Sequence, residues 1–277
     1  MTTASIPVTP ARIRAVPAAA KRPGLPGTLR SELTKILSVR STYWTLLGMV
    51  VASIGWAVLD CLGTVAHGAG QGFDAAQASL TGQVALGELI IVVLGALVIT
   101  SEYSTGMVRT SLAVVPRRGV LYAAKAIVFA AVTLTISLVT SFLDFFVGQA
   151  ILASKHYNTT LTHPGVLRAI LLSAAIVTVF GLLAYGAGAI IRHTAGAITA
   201  ILGVIFLIPA LAQALPNSWY QDIARWLPGG QALNPIASSG PDFSHMLFSA
   251  WGEFAVFSGY AAILLALGAW LFIRRDA

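Results

Sequence analysis

Hydrophobic residues in this chain come in long blocks, and polar residues are confined to the gaps between them. Six apolar runs stand out: 42–64, 82–100, 120–153, 166–191, 195–215 and 252–273. A helix needs about 20 residues to cross the hydrocarbon of a bilayer, so each run is long enough for one crossing. The third is long for a single crossing and too short for two with a turn between them. A shorter pattern precedes the first run. In 29–41, Leu29, Leu33, Ile36, Leu37 and Arg40 repeat at helical spacing, while Arg30, Glu32, Lys35 and Ser38 fall mostly on the other side. This predicts an amphipathic helix lying in the membrane interface, with Thr28 as its N-cap and Arg40 snorkelling to the headgroups.

Composition agrees with this pattern. Of the 277 residues 57% are hydrophobic and only 10% charged, and mean hydropathy is +0.82. Soluble domains carry about 25% charged residues. The expected fold is an all-α integral membrane protein with six transmembrane helices, forming a single domain over 29–277. Residues 1–28, rich in Pro, Ala, Thr and Arg, read as a disordered tail.

Charge placement predicts the orientation. With the N-terminus inside, the inner segments hold 14 of the Lys and Arg residues and the outer segments only Lys155, Arg168 and Arg225. The positive-inside rule then puts both termini in the cytoplasm. The long outer connection 216–251, with Trp219, Tyr220, Trp226 and Trp251 interrupted by Pro228 and Pro235, reads as short half-helices dipping into the outer leaflet. The excess of basic over acidic residues, 17 against 10, fits this topology and anionic headgroups; aromatic and basic residues do not interleave, so nucleic acid is not an expected partner.

Several chemistries are absent. No GxxxxGK[ST] phosphate loop, HExxH or GxSxG occurs, and Cys61 is the only cysteine, which excludes an intrachain disulfide. His67, His156, His163, His193 and His245 are scattered, and no metal site is expected from them. Gly181, Ala184 and Gly188 fall near one helix face and suit close packing of spans. Pro209 should kink the fifth span. Three acids fall in or near spans: Asp60, Glu88 and Asp144. An acid in a bilayer is costly and marks a functional candidate. Asp144 and Glu88 are therefore candidates for the substrate pathway, the other reading being a structural bond to Ser or Thr on a neighbouring helix. For Glu88 that structural bond is the preferred reading.

The most polar interruption lies between the second and third runs: Glu102-Tyr103-x-x-Gly106-x-x-Arg109-x-x-Leu112-x-x-x-Pro116-x-Arg118, followed by Lys125. Glu102 and Arg109 are seven apart and would share a face of one helix. Gly106 permits a break, Pro116 ends the segment, and Arg117 and Arg118 can grip phosphate or a partner. Glu102 anchors nothing in an anionic membrane, so it is expected either to dock a partner or to form an internal ion pair.

This signature resembles that of the permease subunits of ABC transporters of the type-two exporter family, with Met107 where Thr is usual. The amphipathic helix, six spans, inner termini and Pro-broken outer segment resemble the same family. The resemblance implies a transport subunit of a bacterial cell membrane with no catalytic site of its own. It implies pairing with a second permease half, alike or different, and docking of a separate ATPase that holds the ATP and Mg. The docking element would be a coupling helix in 101–119, carrying Glu102, Tyr103, Gly106, Arg109, Pro116 and Arg118. A lipid, drug or other hydrophobic compound is the expected substrate. The competing expectation is an ion-coupled secondary transporter using Asp144.

Overall fold

A computed structural model of the chain describes residues 24–106, 117–212, 238–239 and 249–274. The described residues are helical, without strands. The elements are α1 (Leu25–Ser38), α2 (Arg40–His67), α3 (Ala75–Gly82), α4 (Glu88–Ser104), α5 (Arg118–Leu152), α6 (Val166–Ile191), α7 (Thr194–Leu202), α8 (Ile208–Ala212) and α9 (Ala250–Arg274). One π-helical turn, Gln83–Gly87, joins α3 to α4, and another, Gly203–Leu207, joins α7 to α8. Five helices are long and apolar enough to cross a membrane: Arg40–His67, Ala75–Ser104, Arg118–Lys155, Val166–Ile191 and Ala250–Arg274. The chain thus has the character of a multi-pass membrane protein.

The bundle is organised around α6. Of its most apolar stretch 72% is buried, against 22–50% in the other four long helices. Small residues make this possible, because a backbone without bulky side chains lets neighbours come close. A Cβ added at Gly95 of α4 would run into the carbonyl of Gly181, and one at Gly181 would meet Ile91 and Phe129. Gly188 receives Ile99 and Thr100, and Gly186 receives Leu264 of α9. The contacts 95 with 181 and 99 with 188 advance together, so α4 and α6 are parallel. Phe180 against Phe257 and Gly186 against Leu264 make α9 parallel to α6 as well.

Several boundaries differ from the sequence expectation. The first helix starts at Leu25, not after Thr28; Pro26 lies in its first turn, where its fixed φ suits a helix start, and Thr28 Oγ1 instead donates back to the carbonyl of Gly24. Val39 (ψ 113°) breaks the chain before α2, so Arg40 opens the next helix rather than closing the first. The second long helix begins seven residues before the expected 82, because Asp74 caps it: its Oδ1 accepts from the N–H groups of Ala76 and Gln77. The third run is one unbroken helix of 35 residues, about 52 Å long. The fifth is helical over 194–212. The π turn Gly203–Leu207 lies directly before α8, in the stretch where a kink at Pro209 is expected. The tail 1–23 and the proposed half-helices of 216–251 lie outside the described residues, apart from positions 238–239 and 249–251.

Candidate functional site: a buried ion cluster beside the polar loop

The loop that interrupts the apolar pattern leaves α4 at Ser104 and re-enters at α5. Gly106 has φ +69°, the left-handed region that glycine enters without a Cβ clash, and the helix ends just before it. A single helix carrying Glu102 and Arg109 on one face is therefore not what forms: α4 stops between them. Residues 107–116, including Arg109 and Pro116, lie outside the described residues.

Both flanks of the loop meet at one cluster of charges. Lys125 Nζ, about two turns into α5, donates to Glu102 Oε1 at 2.7 Å and to Glu32 Oε2 at 2.6 Å. Lys35 Nζ donates to Glu32 Oε1 at 2.6 Å and lies 3.6 Å from Glu102 Oε1. The Glu32 side chain is fully buried, those of Glu102 and Lys125 are each 6% exposed, and that of Lys35 is 37% exposed. Two carboxylates and two ammoniums thus alternate across α1, α4 and α5. Removing so many charges from water is tolerable only because each finds an opposite partner at hydrogen-bond distance. On Glu32, burial pushes the carboxyl up, but the charge of Lys125 and the bonds from Lys125 and Lys35 outweigh it, and the net shift is downward. On Lys35, burial acts to lower the ammonium, and Glu32 and Glu102 together carry it upward.

The structure thereby decides how Glu102 is used among the described residues: it faces inward, in an internal ion pair. It also shifts the face that α1 packs inward: Leu29 and Ile36 of the expected apolar face are packed, and Arg30 and Ser38 of the polar face stay exposed. Glu32 and Lys35, expected toward solvent, pack into the protein together with Thr28 and Ile36, while Leu33 and Leu37 stay exposed, as an interfacial helix requires. The pairing of Glu32 with a lysine 93 residues away outweighs the apolar moment of the helix. Lys125, which follows the polar signature, is buried in the same cluster.

Next to the cluster lies an aromatic layer. Tyr103 packs edge-on against Phe272 and carries the Arg192 guanidinium over its ring, 5.0 Å from the centroid. Arg192 ends α6 in a left-handed conformation (φ 60°), which turns the chain toward α7. Tyr122 contacts both Tyr185 and Phe272, and Tyr185 Oη donates to the carbonyl of Tyr122. Arg118 is half-buried at the start of α5 and Arg117 is exposed. The ends of α4, α5, α6 and α9 are in this way tied together around Glu102 and Tyr103.

The two intramembrane candidates lie elsewhere. Asp144 is fully buried and accepts a hydrogen bond from Ser53 Oγ of α2. Glu88 is 3% exposed, follows directly on the π turn, and falls on the α4 stripe that includes Ile91 and Gly95 and faces α6. Its Oε2 has no hydrogen-bond partner among the described residues. The structural bond expected for such acids is present at Asp144. Sequence reasoning missed the roles of Glu32 and Lys125; the available signal was one acid on a basic amphipathic helix and one lysine inside an apolar run.

No protein-family model matches the chain, and no curated protein matches it. Function is therefore argued from the residues.

Proposed function

We propose that the chain is the membrane-spanning permease subunit of an ATP-driven exporter of the ABC type, taking its motion from a separate cytoplasmic ATPase through the loop between α4 and α5. The observation that carries the reading is the ion cluster at the loop's two flanks. A loop pushed by a motor transmits force only if its ends are fixed to rigid elements. Here Glu102, two residues before the end of α4, and Lys125, early in α5, are bonded to each other and to Glu32 of α1. A displacement of the loop would reach α1, α4 and α5 as one body.

In this reading the cluster end of the bundle faces the cytoplasm, with six crossings and both termini inside. Support comes from the arginines gathered there and from the chain path. Because α6 and α9 are parallel, the chain must return along the bundle between them. The helical run 194–212 sets out from the cluster end, where Thr194 meets Thr100 at 2.7 Å. Arg109, Pro116 and Arg118 would face the ATPase, while Glu102 and Tyr103 hold the flank in place. The ATPase would bind ATP and Mg, and a second permease half would complete the pathway for a lipid, drug or other hydrophobic compound.

The test is affinity capture of the full chain from detergent-solubilised membranes of its own host. Co-purification of a Walker-type ATPase is the expected result, lost when Arg117 and Arg118 are replaced by Glu. Transport that persists after ATP depletion and follows an ion gradient would overturn the proposal.

A further inference from the structure

A second polar feature runs through the bundle, away from the ion cluster, where α5 packs on α2 and on the α3–π turn. Ser137, Ser141 and Asp144 lie at i, i+4 and i+7 on one stripe of α5, and all are fully buried. Gln83, in the π turn, bridges the stripe: its Nε2 donates to the carbonyl of Ser137 and its Oε1 accepts from Ser141 Oγ. Ser53, at the middle of α2, donates to Asp144 Oδ2. The threonines of the same stretch, Thr133 and Thr140, return their hydroxyls to carbonyls of their own helix. Two oxygens of this seam, Asp144 Oδ1 and Ser137 Oγ, have no hydrogen-bond partner among the described residues.

This seam has a negative ligand and no positive one. On α5 itself the next charged residue toward the cluster is Lys125, 19 positions away, about 28 Å along the helix. From α2 the ionisable groups on this side are Cys61 and Asp60, and the Asp60 carboxylate is engaged by Thr81. The α3 segment and π turn contribute none before Glu88. An ionised carboxylate held out of water by one hydroxyl is several kcal/mol short of compensation. Space is equally restricted. A Cβ at Gly82 would strike the carbonyl of Ser53, and one at Gly148 would strike Ser79 and approach Cys61 Sγ at 3.1 Å. The helices approach closely at these two glycines, which favours a small ion over a bulky organic ammonium.

We propose that this seam is a binding site for one small monovalent cation, a proton or a bare alkali ion, with Asp144 as the charged ligand and Ser53 supplying a hydroxyl oxygen beside it. Occupancy neutralises the acid and lets α2 and α5 stay closed; vacating the site leaves a charge that draws water in and parts the helices. The site does not depend on the identity of the motor that drives the loop.

The test is the thermal unfolding midpoint of the full chain in detergent, across pH at fixed ionic strength and in sodium, potassium and choline chloride at fixed pH. The folded state would hold a proton that the unfolded state releases near neutrality, so a proton site makes the protein more stable as pH falls. One linked proton is expected to raise the midpoint by roughly 3 °C per pH unit. A rise in sodium or potassium over choline identifies an alkali ion instead. Asp144→Asn, neutral and of the same shape, should remove the proton- or ion-linked component that belongs to the seam, and Glu88→Gln should preserve that component. A midpoint in the wild-type chain that depends on neither pH nor salt, or a dependence that Asp144→Asn retains in full, overturns the proposal. Should Asp144→Asn fail to fold, labelling of wild-type Asp144 by dicyclohexylcarbodiimide, read by mass spectrometry, replaces it. Labelling suppressed by high pH or by alkali salt supports the site, and labelling indifferent to both overturns it.

Discussion

Lys125 is the residue on which the loop's anchoring depends most heavily. It bonds two buried carboxylates at 2.6 and 2.7 Å and is itself almost wholly buried. Lys125→Met keeps the length and packing of the stem but removes the charge. Glu32 would then share Lys35 with Glu102, whose oxygen is 3.6 Å from that ammonium. Stranding a buried charge costs about 3–5 kcal/mol, or roughly 10 °C in unfolding midpoint for a chain of this size. The same reasoning predicts a rescue. Adding Glu102→Gln to Lys125→Met removes the stranded charge and leaves a one-to-one pair of Glu32 with Lys35. The double variant should regain about 1–3 kcal/mol relative to Lys125→Met, a coupling within the range found for residues in one network. The assay is survival of the monodisperse peak on size-exclusion chromatography after heating the detergent-solubilised protein. If the effects of the two substitutions add, or if Lys125→Met melts with the wild type, the cluster does not hold the flanks and the proposed route from loop to bundle fails.

Gly95→Ala places a methyl group against the Gly181 backbone and should cost about 1–3 kcal/mol in the same assay, whereas Gly48→Ala, where nothing lies within 4 Å, should be neutral. Asp74 accepts from Ala76, Gln77, Ser238 and Ser239. Although burial raises its carboxyl, these bonds bring it below the usual value. Its contribution is thus present above the unfolded-state value near pH 4 and is lost as pH falls through the lower folded value. Asp74→Ala should lower stability at neutral pH by about 1–2 kcal/mol, the cost of a lost helix cap, read as a lower midpoint, and should abolish this component of the acid-side loss. In vesicles, ATP-dependent export should fail in Glu102→Lys, which sets a second ammonium against Lys125, while the protein still inserts; full export in that variant would remove Glu102 from the coupling route.

Much of the fold could be read from the pattern of apolar blocks, because crossing a bilayer demands unbroken hydrogen-bonded helices of a set minimum length. That is why 166–191 was legible to the residue, and why Gly181 and Gly188 could be recognised as packing positions before any neighbour was known. The break at Gly106 was legible for a local reason, since a glycine enters the left-handed turn without a Cβ clash. Helix starts were less so: Asp74 caps a helix whose first turns, Ala-Ala-Gln-Ala-Ser, are too polar and small to count as a span.

What sequence could not decide is which charges meet. Glu32 finds Lys125 at a separation of 93 residues, and Ser53 finds Asp144 at 91. Those pairings depend on how α1, α2 and α5 are set against one another, and no local pattern encodes that. Read alone, Glu32 belongs on the wet side of an amphipathic helix and Glu102 on a loop waiting for a partner. Folding brings both against one lysine, because in an apolar interior the electrostatic gain from an opposite charge exceeds the helix's own preference for which face it buries. The sequence by itself determined the apolar helical blocks, their order and the place of the polar loop; the tertiary structure decided that the loop's acid is an internal tie, and that the Asp144 carboxyl at mid-bundle is left with an oxygen to fill.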